Sequence, residues 1–206
     1  MNFFKYIFFA TDNRISRFHS LRGELMPIDA FARIPLTIFE RLSGKYKYYP
    51  WLVPSAISWL AKTIKPDWEI FEFGCGYSTI WYAKQCYSIM GVEDNLEWFN
   101  FIKEKIISSN IGNCNLIFAS AMSPSYIADY QDNYFDLVIV DSYINRIECA
   151  VTAFSKVKRG GYLVFDDTDI LEFQDIDFLR DWNVNRFVGV KPNPLTCTET
   201  SAFQRP

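Results

Sequence analysis

The stretch Ile70-Phe71-Glu72-Phe73-Gly74-Cys75-Gly76-Tyr77-Ser78-Thr79 decides the reading of this chain. An apolar strand runs into a glycine turn, and a helix is expected directly after it, from Ser78. Gly74 and Gly76 let the backbone turn sharply and let a ligand approach the main chain. The first turn of the helix offers N–H groups that have no partner within the helix. A second short apolar strand closes on Glu93, twenty-one positions after Glu72. A carboxylate at that distance, on the next strand, is placed to take both hydroxyls of a ribose. This is the layout of a nucleoside-binding α/β domain.

Outward from the turn, strand and helix signals alternate. Strands are expected at 69–73, 88–93, 115–119, 135–140 and 161–165, and helices at 78–85, 97–108, 123–129, 146–157 and 171–182. Two last runs, 186–190 and 199–204, read as an antiparallel pair that closes the sheet. Such alternation predicts an α/β fold, Rossmann-like, with a mostly parallel sheet covered on both faces and an antiparallel C-terminal strand. Ligands of such sheets bind outside the carboxyl ends of the strands. Glu72, Glu93, Asp141, Asp166 and Asp167 all fall at such ends. Before Pro66 lies a helical lead-in, with segments at 27–42 and 54–64. Ile57, Leu60, Ala61 and Ile64 recur at helical spacing, Pro54 suits a first turn, and Pro66 stops the run. The expected organisation is a helical extension over 1–65 and an α/β domain over 66–206.

With 206 residues the chain is long enough for a substantial core, burying roughly 70% of its unfolded surface. A net charge of −3 and a pI near 5.3 argue against a general affinity for nucleic acid or anionic membrane. Five scattered cysteines, an odd number with no CxxC pair, suit reduced thiols and a cytoplasmic setting. With His19 as the one histidine, structural zinc is disfavoured. The apolar start, 1–10, lacks the length of a spanning helix and the cleavage site of a signal peptide. Packing on its own domain or on a second copy, as a homodimer, is favoured there over contact with a membrane.

The residue chemistry narrows the ligand. Thr79 stands where a GxGxxG motif has its third glycine, which speaks against a dinucleotide. Glu72 just before the turn would repel a phosphate and suits a positive group, such as an amino acid ammonium or a sulfonium. Asp141, Asp166 and Asp167 would repel one another unless a cation or protons intervene. Hard oxygen ligands suit Mg²⁺ or Ca²⁺. The plainer reading has Asp166 or Asp167 capping the following segment and Asp141 orienting a loop. Without a metal, Asp141 or Asp166 remains a general base.

At this point the chain resembles a known family. Glu72-Phe73-Gly74-Cys75-Gly76 is similar to the first motif of class I methyltransferases that use S-adenosylmethionine. The strings FEFGCGYSTIWYAK and GVEDNLEW, then FDLVIVDS, RIECA, RGGYLVFDDTD and TETSAF, resemble a bacterial subgroup of that family and together span 49–203. The resemblance implies a class I methyltransferase sandwich. It places Glu72, Gly74, Cys75, Gly76, Ser78 and Thr79 around the methionine end of the cofactor. Glu93 would hold the ribose, with Asp94 or Asn95 near the adenine. Ala119, Ser120 and Ala121 occupy the place where the family has an acidic residue by the adenine amine, so Ser120 is a departure. Asp141 would lie beneath the methyl-transfer site. The strand-end acids resemble those of metal-dependent O-methyltransferases, which implies Mg²⁺ held by Asp141, Asp166 and Asp167, with Asp141 and Asp166 as catalytic residues. The implied reaction is methyl transfer to an oxygen of a small molecule or sugar, with no nucleic acid as partner. A non-catalytic nucleoside-binding scaffold, an aminopropyl transferase and a nicotinamide-dependent dehydrogenase stay open beside it. Arg146 is read as a partner of Asp141 or of an anionic acceptor, and Cys149 as core. Tyr46, Tyr48, Tyr49 and Trp51 are read as an acceptor lid or as packing.

Overall fold

A computed structural model describes residues 14–45, 49–119, 124–142, 145–170, 179–193 and 195–206. Its helices are α1 (Ile28–Leu42), α2 (Pro54–Thr63), α3 (Tyr77–Ala83), α4 (Leu96–Ser108), α5 (Ser125–Ala128) and α6 (Arg146–Ala153). Its strands are β1 (Glu69–Phe73), β2 (Ser88–Glu93), β3 (Cys114–Phe118), β4 (Phe135–Val140), β5 (Val157–Phe165), β6 (Asn183–Val190) and β7 (Cys197–Gln204). They form one seven-stranded sheet in the order β3-β2-β1-β4-β5-β7-β6. β1 pairs in parallel with β2 and β4, β2 with β3, and β4 with β5. β7 runs antiparallel: Arg205, just past its end, exchanges backbone bonds with Gly160 and Gly161 of β5. The expected α/β fold is therefore present. The order turns back at β1, whose neighbours are β2 and β4, and such a switch point opens a crevice at the carboxyl ends of the strands.

The chain divides into two compact units. Among the described residues, one comprises those within 63–165, 176–185 and 202–206, the other those within 1–62, 166–175 and 186–201. The first carries β1 to β5. Its central strands β1 and β4 are buried without alternation, because both faces are covered. Phe71 packs on Phe73 and Phe135 with ring centroids 4.7 and 5.3 Å apart. Burying each such side chain contributes about 1.5–3 kcal/mol. The second unit carries α1 and α2, and packs Phe18, Phe31 and Ile34 around buried Met26, Val190 and Cys197.

Two elements differ from expectation. The helix expected over 146–157 ends at Ala153. The carbonyls of Ser155 and Lys156 accept N–H bonds from Asn133, Tyr134 and Phe135, which pulls the chain out of the helix. β5 accordingly begins at Val157, ahead of the apolar run at 161–165. Its register with β4 shifts between Phe135 and Leu137. Gly160 supplies the left-handed φ of 77° that this irregularity uses. Of the helix expected over 171–182, residues 171–178 lie outside the described residues and 179–182 form a turn. The apolar start, 1–10, also lies outside them. Among the described residues no helix is long and apolar enough to cross a membrane.

Candidate functional site

The glycine turn is wedged between the ends of β2 and β4. The Gly74 N–H donates to Val92 O (2.9 Å), and the Asp141 N–H donates to Phe73 O (2.9 Å). Gly74 has φ 89°, and a Cβ there would lie 2.7 Å from Asp141 O, so this position excludes other residues on two grounds. Cys75 donates its N–H to Glu93 Oε2 (3.0 Å). Glu93 Oε1 accepts the N–H groups of Asp94 (3.1 Å) and Asn95 (2.8 Å). Glu93 thus ties the turn after β1 to the turn after β2. Burial pushes its carboxyl pKa up, against the pull of these backbone donors. Asn95 caps α4 by accepting the Trp98 N–H (2.9 Å), and the Trp98 indole N–H returns to Cys75 O (2.7 Å).

Glu72 is the buried charge of this turn, with 0% of its surface exposed. Ser78 Oγ donates to one of its oxygens (2.6 Å) and Thr79 Oγ1 to the other (2.5 Å). Thr79 Oγ1 also accepts the Gly76 N–H (2.9 Å), which is half of a capping box at the start of α3. Burial raises the Glu72 pKa to about 7; the two hydroxyls pull it down and Glu93 pushes it further up. Cys75, next to both carboxylates, has its thiol pushed well above the usual range by burial and then by Glu72. It is a packed thiol and no nucleophile.

The other expected residues fall as follows. Ala119 is buried and donates its N–H to Glu93 O (2.9 Å), while Ser120 and Ala121 lie outside the described residues. Asp141 forms an ion pair with Arg146 Nη2 at 3.8 Å, and Arg146 Nε donates to Ser142 O. Cys149 is buried in the core, as expected. His19 Nδ1 hydrogen-bonds Ser16 Oγ at 2.7 Å, a local structural contact. Tyr46 and Tyr48 lie outside the described residues, and Tyr49 is exposed.

The acids after β5 depart most from expectation. Lys191, directly after β6, sets its Nζ 2.5 Å from Asp166 Oδ2 and 2.7 Å from Asp167 Oδ1. Thr200 Oγ1 donates to Asp166 Oδ1 (3.0 Å), and the Thr198 hydroxyl is shared between Asp167 Oδ1 (2.7 Å) and Asp169 Oδ1 (2.6 Å). Among the described residues no group of three or more His, Cys, Asp or Glu side chains is arranged to hold a metal ion. The expected magnesium site does not fit: an ammonium already supplies the positive charge between Asp166 and Asp167, and hydroxyls fill further lone pairs.

Sequence reasoning missed three residues. Lys191 carried a signal, since a lone cation at the end of an apolar strand (Val188-Gly189-Val190) and before Pro192 is unusual. Trp98 stood inside a recognised string without a role. Gly91 of β2 went unremarked, yet a Cβ there would overlap the Cys75 sulfur.

No protein-family model and no curated protein matches the chain. Solved structures do. A tRNA (m1A58) methyltransferase from Aquifex aeolicus aligns over 74% of this chain and 69% of its own, at 11% identity and a TM-score of 0.58. A precorrin-6y C5,15-methyltransferase from Geobacter metallireducens aligns over 72% and 87%, at 18% identity and 0.57. TYW2 from M. jannaschii, solved in complex with AdoMet, aligns over 72% and 74%, at 17% identity and 0.53. At these identities the likeness establishes the Rossmann-like fold shared with S-adenosylmethionine-dependent methyltransferases. The expectation of a small-molecule acceptor with no nucleic acid does not stand, because a tRNA-modifying enzyme is among these neighbours. The charge argument behind it was too coarse: net charge sums the whole chain, whereas a polyanion responds to the local field.

Proposed function

We propose that this chain binds S-adenosylmethionine at the glycine turn and transfers its methyl group. The observation that carries this reading is Glu72. It is a fully buried carboxyl at the switch point, held by hydroxyls, with its pKa raised to about 7. A ligand that brings positive charge to the turn is attracted by the ionised form and lowers that pKa. S-adenosylmethionine carries an ammonium and a sulfonium; a dinucleotide would bring a pyrophosphate instead. The shared fold of the methyltransferase neighbours supports the same reading.

On this reading Gly74 and Gly76 give the methionine end access to the main chain. Glu93, fixed by three backbone N–H groups, turns its remaining acceptor capacity to the ribose. Asp94 and the 119–121 segment flank the adenine. Asp141 stands at the carboxyl end of β4, oriented by Arg146, as the carboxylate that positions or deprotonates the acceptor. Displacement at a sulfonium needs little covalent help, so the chain's work is alignment of the acceptor with the methyl group.

Calorimetry with S-adenosylmethionine, S-adenosylhomocysteine and NAD, at pH 6 and pH 8, tests this. S-adenosylmethionine is expected to bind, more tightly at pH 8, because Glu72 ionises as pH rises through about 7. Glu93→Ala is expected to weaken binding roughly tenfold or more, the scale of lost charge-assisted hydrogen bonds. Binding of NAD alone, or of none of the three, overturns the reading. Transfer of labelled methyl groups to RNA, protein and small-molecule fractions then identifies the acceptor; binding without transfer to any would make the chain a cofactor-binding protein.

A further inference from the structure

We infer that Lys191 is a resident ammonium that takes the place of a divalent cation between Asp166 and Asp167. The carboxylate group after β5 is thereby charge-compensated by the chain itself. Successive residues of an extended strand point to opposite faces. Asp167 breaks that alternation with a left-handed φ of 50°, so that consecutive carboxylates converge on one Nζ. Aspartate is among the few non-glycine residues that adopt this region readily. The side chains of Lys191 and Asp166 are 6% and 2% exposed. Charges so buried persist only when paired and hydrogen-bonded. Both requirements are met: Lys191 Nζ bridges the two carboxylates, Thr200 donates to Asp166, and the Thr198 hydroxyl is shared between Asp167 and Asp169.

The ammonium is also held in position from outside. Arg41 of α1 donates to Pro192 O (2.8 Å), the residue after Lys191, and fixes the loop that carries it. A metal would need several oxygen ligands at about 2.0–2.6 Å in a defined geometry. Here those directions are taken by a tetrahedral N–H donor and by hydroxyl donors. Lys191 is therefore a positioning residue: it keeps Asp166 and Asp167 charged and fixed without a dissociable ion. In so far as the chain is a methyltransferase, the inference removes Asp166 and Asp167 as a divalent-cation site for the reaction; the metal-binding part stands without that reading.

The test is a Mn²⁺ titration of the full chain followed by electron paramagnetic resonance, with S-adenosylmethionine binding measured on the same samples. Wild-type protein is expected to leave the free Mn²⁺ signal unchanged. Lys191→Met, which leaves two carboxylates without their ammonium, is expected to take up Mn²⁺ roughly tenfold or more tightly than wild type. Lys191→Arg, which keeps the charge, is expected to stay silent. Mn²⁺ bound by wild type and lost in Asp166→Asn overturns the inference, as does a folded Lys191→Met that binds no more Mn²⁺ than wild type. Should Lys191→Met fail to fold, the wild-type and Asp166→Asn titrations still decide. Wild type that excludes Mn²⁺ but binds no S-adenosylmethionine defeats the methyltransferase proposal and leaves this inference standing.

Discussion

Glu72 and Asp166 are both buried carboxylates at the end of a sheet strand, yet the chain treats them in opposite ways. Glu72 receives two hydroxyls, and burial leaves its pKa near 7. Asp166 receives one hydroxyl and an ammonium. Taking a carboxylate out of water costs several kcal/mol, and hydroxyl donors return only part of that. A buried carboxyl without a cation is therefore poised between protonation and capture of a cationic ligand. One that already has its cation is structural and fixed. The contrast separates a carboxyl held by hydroxyls alone, the one proposed to meet a cationic ligand, from one paired with a lysine of the chain.

Removing the ammonium should have the largest effect. Lys191→Met is expected to destabilise the chain by about 3–5 kcal/mol in urea denaturation, since it strands buried charge. Adding Asp166→Asn to that variant should recover part of the loss; strictly additive losses would show that the pair is not coupled. Glu72→Gln should act with the opposite sign, and only in part of the pH range. A carboxyl whose folded pKa is raised binds more protons folded than unfolded between its usual 4.5 and about 7. Its stabilising contribution is full below pH 4.5 and lost as pH rises through about 7. Relative to wild type, Glu72→Gln should therefore gain stability across that window, by on the order of 3 kcal/mol at pH 8 at about 1.4 kcal/mol per pH unit. A difference between the two proteins that does not change with pH would remove Glu72 from its assigned state. Gly91→Ala should be the mildest, about 1–3 kcal/mol, from overlap with the Cys75 sulfur. Combined with Cys75→Ala the cost should largely vanish. If it persists, the Leu116 methyl, 3.0 Å from the added Cβ, is the contact that sets the cost.

Legibility followed the range of the interaction. β1 and β4 matched their expected bounds because short apolar runs between turn residues suffice to mark strands covered on both faces. The glycine turn of Gly74 and Gly76 was legible because it lies within a few residues of chain, whereas the hold of the Ser78 and Thr79 hydroxyls on Glu72 was not, since the resemblance assigns those residues to cofactor contacts. The end of α6 was not legible. Ile147, Ala150, Val151 and Phe154 keep helical spacing past the point where bonds to 133–135 pull the backbone into the sheet. The magnesium expectation failed for the same reason. Three acids at strand ends describe a metal site only until a lysine far along the chain is seen to lie among two of them.

The sequence by itself determined the alternation of strands and helices, the glycine turn after the first strand and the acids at the strand ends. Each depends on periodicity or on residues close enough for covalent geometry to set their meeting. Tertiary structure alone decided which charge compensates which. Lys191 is 25 residues from Asp166, and Arg146 reaches Asp141 from the helix that follows it. Burial and the pairing of charges are properties of the assembled sheet, where a carboxylate's state depends on every group that replaces its water. Two strand-end carboxylates, Glu72 and Asp166, therefore read alike in one dimension and stand in different electrostatic settings in three.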